Sequence, residues 1–184
     1  MKLKSTLLPA MTAATVSMLA LLPGTASAID GTINITGKVT ASTCNINGAT
    51  SPVTINVALP TVSTAALPSA GSVAGRTPFT IALTNCSASM TKAQTYFEPG
   101  PTVNASSNNL ILQGAGVAAN VELQLLNADA SKILLGNPLA TQNSQIGNVT
   151  SGSGTLNYFA QYVATGASGA GSANSSVTFT MIYQ

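Results

Sequence analysis

The last patterned stretch of the chain runs into its C-terminus: Val177, Phe179, Met181 and Tyr183 share one parity, Thr178, Thr180 and Ile182 the other, and the chain stops at Gln184. Such a period of two marks an extended strand with one apolar face. A fold that finishes on this strand has no later strand to cover its edge. Its free main-chain groups, and the apolar groove beside them, are expected to pair with another chain.

A stretch of matching shape stands near the other end. Residues 29–39 read Ile-Asp-Gly-Thr-Ile-Asn-Ile-Thr-Gly-Lys-Val, with Ile29, Gly31, Ile33 and Ile35 on one parity and Asp30, Thr32, Asn34 and Thr36 on the other. Ahead of it, Lys2 and Lys4 precede an uncharged run through Leu19, Leu21 and Leu22, and Pro23-Gly-Thr-Ala-Ser-Ala28 fits an Ala-x-Ala cleavage site. These features predict a cleaved signal peptide over 1–28, a free N-terminal arm over 29–39 and a domain over 40–184. No other run is long enough to span a bilayer, so the mature chain is expected to be soluble and exported.

Removing the signal leaves 184 − 28 = 156 residues, enough for one domain with its own core. The mature cations Lys38, Arg76, Lys92 and Lys132 balance the anions Asp30, Glu98, Glu122 and Asp129, so the net charge is 4 − 4 = 0. No nucleic-acid footprint is present. So few charges suit a surface that packs against copies of itself. Cys44 and Cys86 are the only cysteines, and in an exported chain two cysteines most simply form one disulfide.

Between the ends, alternation recurs over Val53–Val57, around Phe79, Ile81 and Leu83, and around Val121, Leu123 and Leu125. Turn-forming stretches separate them: Pro60, Pro68-Ser-Ala-Gly71, Pro99-Gly-Pro101, Asn127-Ala-Asp129, Gly136-Asn-Pro138 and Gly152-Ser-Gly154. No segment offers an amphipathic helix of useful length, and short strands at these intervals predict an all-β sandwich. Residues 166–171 read as a surface loop, and Tyr158 and Tyr162 as core.

Catalysis is not expected. The chain has no histidine and no Gly-x-Ser-x-Gly, and its carboxylates are scattered in sequence. No metal, cofactor or catalytic residue is assigned. A Lys–Asn isopeptide at Lys92 or Lys132 is formally open, but the sequence places no acid beside either lysine.

Taken together, these pieces resemble a type 1 fimbrial pilin of the chaperone–usher class, close to the major rod subunits. The resemblance rests on the signal followed by Gly31-Thr-Ile-Asn-Ile-Thr-Gly37, on Phe79-Thr-Ile-Ala-Leu-Thr-Asn-Cys86 with its partner Cys44, on Tyr158-Phe-Ala-Gln-Tyr-Val-Ala-Thr165, and on the ending. Pilins of this family carry a penultimate tyrosine and a glycine fourteen positions from the C-terminus, which here are Tyr183 and Gly171.

The resemblance implies an incomplete immunoglobulin-like sandwich lacking its last strand, completed first by a periplasmic chaperone and then by a donor strand from the next subunit. It implies that Ile29, Ile33 and Ile35 insert, with Gly31 opposite a shallow pocket, although the arm is short ahead of Gly31. It places the acceptor groove and chaperone-binding strand at Gly171, Val177, Phe179, Met181 and Tyr183. The expected partners are identical or related pilins, the chaperone and an outer-membrane usher; the expected location is a surface fimbria that supports adhesion. The competing reading is a minor adaptor or secreted binding module that recognises a host glycan or protein. A two-domain tip adhesin is disfavoured by the length.

Overall fold

The computed structural model describes Asn34, Thr36 and residues 44–184. The predicted signal peptide and the arm positions Ile29, Gly31, Ile33 and Ile35 lie outside the described residues.

Among the described residues nine strands form two antiparallel sheets: β1 (Asn45–Ile46), β2 (Val73–Thr84), β3 (Lys92–Phe97), β4 (Val103–Asn104), β5 (Asn109–Ile111), β6 (Val121–Asn127), β7 (Ile146–Asn148), β8 (Gly154–Ala164) and β9 (Phe179–Tyr183). The larger sheet runs β1-β2-β8-β6-β5-β4 and the smaller β7-β3-β9. Among the described residues the only helical segments are two short 3₁₀ turns, Thr64–Ala66 and Leu139–Thr141, and no helix is long and apolar enough to cross a membrane.

The alternation read in the sequence becomes the inner faces of these sheets. On β2, Phe79, Ile81 and Leu83 face inward opposite Tyr158, Leu156 and Gly154 of β8. On β6, Leu123 and Leu125 meet Tyr162 and Ala160 of β8. Tyr158 joins the two layers: its ring packs 5.5 Å from Phe79 and edge-on to Phe97 at 5.6 Å, and its hydroxyl donates to Thr95 Oγ1 at 2.9 Å. Satisfying that hydroxyl is what permits a tyrosine to be buried at the centre.

Buried amides hold the long connection between β6 and β7 against the smaller sheet. Gln142 is fully buried, accepts from Phe97 N at 2.9 Å and donates to Phe97 O at 2.8 Å, so a side chain substitutes for a strand partner just beyond β7. Gln94 donates to Ser144 O at 2.7 Å and Asn127 to Asn143 O at 2.6 Å. One glycine is required by packing: Gly75 lies where the β2 ladder to β8 shifts register, has φ +65°, and any Cβ there would stand 2.9 Å from the Tyr162 ring. The Cys44–Cys86 disulfide joins the residue just ahead of β1 to the chain just past β2.

Candidate functional site: an open groove between two strand edges

The final thirteen residues form one extended line held along a single edge. Ser172 N donates to Gly116 O at 2.9 Å, Gln113 N to Asn174 O at 2.7 Å, Thr102 Oγ1 to Ser176 O at 2.6 Å and Glu98 N to Thr178 O at 2.9 Å. From there β9 pairs with β3, and Gln184 exchanges bonds with Lys92 at 2.9 Å. Every main-chain group held outside the β3–β9 ladder belongs to an even-numbered residue. Because main-chain groups alternate sides along a strand, those of Ala173, Ser175, Val177, Phe179, Met181 and Tyr183 face the opposite edge, where they meet no main-chain partner among the described residues.

Across the gap lies a second extended segment. Val53, Ile55, Val57 and Leu59 turn half-buried side chains inward while Thr54, Asn56, Ala58 and Pro60 are exposed. This is the strand pattern expected over Val53–Val57, but it joins neither sheet: residues 51–62 make no main-chain hydrogen bond among the described residues. Alternation reports which side chains are buried, and it is silent on whether a ladder partner exists.

Between the two segments runs a groove of about 860 Å³, floored by Phe79, Leu123, Leu125 and Ala160 and closed at one end by Ile46 and Tyr183. It continues into a second hollow of about 730 Å³ over Leu67, Tyr162 and residues 168–175. Val177, Phe179, Met181 and Tyr183 line one wall of the first hollow together, and Gly171 lies in the second. A side chain at Gly171 would collide with the main chain of Gly116, Val117 and Ala118, so only glycine lets the last segment lie this close to that loop. Burial pushes the Tyr183 and Tyr162 phenols above their ordinary pKa, so both stay neutral. The opposite wall and Ala160 escaped the sequence reading; the available signal was the run of four inward apolar residues ending at Pro60.

Away from the groove, Glu122 is buried and accepts from Asn104 at 2.7 Å, Ser107 at 2.7 Å and Asn109 at 2.8 Å, while Lys132 Nζ donates to Ser107 O at 2.5 Å. Thus an acid does stand near Lys132. Burial raises the Glu122 pKa, but the hydrogen bonds from Ser107, Asn109 and Asn104, with the Lys132 charge, outweigh it, and the net position is below the ordinary value. A depressed carboxylate contributes stability that is full above the unfolded pKa, about 4.3, and lost as pH falls through the folded one. Urea midpoints between pH 6 and pH 3 are therefore expected to fall on acidification, and Glu122→Gln to flatten that fall; an unchanged slope in the variant would refute the assignment. Among the described residues no three His, Cys, Asp or Glu side chains converge as a metal site.

The family model for type-1 fimbrial protein, A matches residues 59–184. The major fimbrial subunit SMF-1 of Stenotrophomonas maltophilia is 48% identical over 90% of this chain and 99% of its own length. The F17 fimbrial protein of Escherichia coli is 42% identical over 85% of this chain and 89% of its own. A type I fimbria protein of Burkholderia pseudomallei superposes with a TM-score of 0.54 at 30% identity, covering 76% of this chain and 88% of that one. The P pilus rod subunit PapA shares the fold, with a TM-score of 0.55 at 19% identity over 77% of this chain and 99% of that one.

Proposed function

Given that this chain belongs to the type-1 fimbrial protein family and is a structural subunit of a surface fimbria, we propose that it polymerises by donating residues 29–39 of each subunit to the groove of the next. The carrying observation is the pair of strand edges, residues 53–62 and 173–183, that meet no main-chain partner among the described residues and have an apolar floor between them. One inserted strand pairs with both edges and buries its apolar parity in the groove. Ile29, Ile33 and Ile35 supply that parity, and Gly31 spans a shallow part of it.

Burying three isoleucines contributes on the order of 5–8 kcal/mol before the cost of ordering the arm and of association. Arm and groove are different surfaces, so the contact is heterologous and repeats into an open filament. Cleavage after Ala28 releases the arm; a periplasmic chaperone fills the groove until an outer-membrane usher brings the next arm, and the filament supports adhesion.

The test uses the mature chain with Ile33→Asp and Ile35→Asp in its own arm, so that it acts only as an acceptor. A synthetic peptide spanning residues 29–39 is expected to raise its Tm saturably by several degrees, and the same peptide carrying both aspartates to leave it unchanged. An acceptor already stable and indifferent to the wild-type peptide would overturn the reading.

A further inference from the structure

Beyond residue 28 the chain carries two methionines, Met90 and Met181, with no tryptophan and no histidine, and both cysteines are joined in the Cys44–Cys86 bridge. An oxidant that seeks soft side chains therefore has two thioethers to choose between. The fold separates them. Met90 is 7% exposed in the core, with its sulfur 3.9 Å from Cys44 Sγ. Met181 is half-buried and lines the groove wall between Phe179 and Tyr183.

The Met181 sulfur is also held from below. Thr95 stands opposite it in register on β3 and is fully buried; its hydroxyl accepts from Tyr158 at 2.9 Å and donates to Met181 Sδ at 3.6 Å. A thioether has two lone pairs, and this contact engages one of them from the core side. The other stays free to react.

We propose that Met181 is an oxidation site of the unassembled subunit and that its sulfoxide closes the groove to an incoming strand; this rests on the donor-strand reading above. With hydrogen peroxide as oxidant, the free lone pair of Sδ attacks one peroxide oxygen, and the S–O bond forms as the O–O bond breaks. The thioether gives up two electrons; the departing hydroxide takes the proton of the transferred oxygen and leaves as water. The product sets a polar S=O on a wall whose neighbours Leu123, Leu125, Val177 and Phe179 offer it no donor side chain. A strand seated over it buries that group against isoleucine, which weakens binding. A strand already in place covers the sulfur, so the reaction is confined to empty grooves.

The experiment takes the acceptor chain with the silenced arm and treats it with hydrogen peroxide until half of Met181 carries an added oxygen by peptide mass mapping. The mixture is then passed over the immobilised peptide spanning residues 29–39. Met181 is expected to gain its oxygen at least tenfold faster than Met90, and its sulfoxide to be at least tenfold enriched in the unbound fraction. Peptide bound before the peroxide is added should slow the Met181 reaction at least tenfold.

Equal Met181 sulfoxide in bound and unbound fractions, sorting that follows Met90 sulfoxide instead, or a Met181 rate no faster than that of Met90 or unslowed by bound peptide overturns the assignment. The unbound fraction should keep the near-ultraviolet dichroism of the untreated chain. An unfolded unbound fraction also overturns the proposal, because the groove would then be lost and not closed. Failure of the untreated acceptor to bind the peptide sinks the donor-strand reading itself, whereas binding without sorting by sulfoxide sinks only the role of Met181.

Discussion

Ile33→Asp combined with Ile35→Asp is expected to abolish filament growth by the purified mature chain. Each isoleucine lost from the groove removes about 1.5–3 kcal/mol, and each unpaired carboxylate forced into it adds a desolvation cost of several more. At about 1.4 kcal/mol per factor of ten, the donor's affinity falls by at least 10⁴. Unboiled gels should lose their ladder of high-mass species, and electron micrographs their filaments.

Mixing experiments sharpen the result. A subunit with a dead arm still offers its groove, so it can stand only at the terminus where no arm is donated, one copy per filament. A subunit with Met181→Asp, whose groove wall is spoiled, can stand only at the other terminus. Immunogold labelling that found either variant along the filament shaft would refute head-to-tail donation.

Cys44→Ser with Cys86→Ser is the second large effect. The bond closes a sequence separation of 42 residues. In the chain-entropy model a loop of that size contributes roughly 4 kcal/mol. Against a usual total of about 5–15 kcal/mol, its loss removes much of the margin of stability. Both sulfurs are buried in the core beside Met90, so replacement by hydroxyls adds to the cost. Denaturant titration of the acceptor chain should register a loss of about 3–5 kcal/mol; less than 1 kcal/mol would mean that the closed loop is restrained by other means. Ile46, two residues past Cys44, closes one end of the groove, so peptide affinity is expected to fall as well.

Most of the larger sheet was legible because its strands are amphipathic over short distances. Phe79, Ile81 and Leu83, Leu123 and Leu125, and the two core tyrosines each declare their face within a few residues. The apolar wall from Val177 to Tyr183 was legible for the same reason. What the chain conceals is pairing. The segment Val53–Leu59 carries the side-chain pattern of a strand but joins no ladder among the described residues, and only the spatial arrangement of both sheets reveals the gap beside it. Concealed too are Gln142, Gln94 and Asn127, polar residues whose burial depends on partners 45, 50 and 16 positions away. A local reading gives them to the surface. Gly171 was noticed by its distance from the C-terminus, yet its physical reason, the close main chain of residues 116–118, comes from a contact that no local pattern encodes.

The final line of the chain exchanges partners along its length, from the loops beside β5 at Ser172 and Asn174 to β3 at Phe179–Tyr183. In an assembled fibre this makes it a mechanical coupling. If residues 29–39 insert as proposed, tension along the fibre would load the inserted strand lengthwise, in shear, and its bonds to this line would have to fail together instead of peeling one at a time. The line would in turn divide that pull between both sheets, and the Cys44–Cys86 bridge joins the first described residue of the domain covalently to the end of β2, the longest strand among the described residues. Force entering at the groove would thus be shared by the β3–β9 ladder and the loops beside β5 before it reached the disulfide.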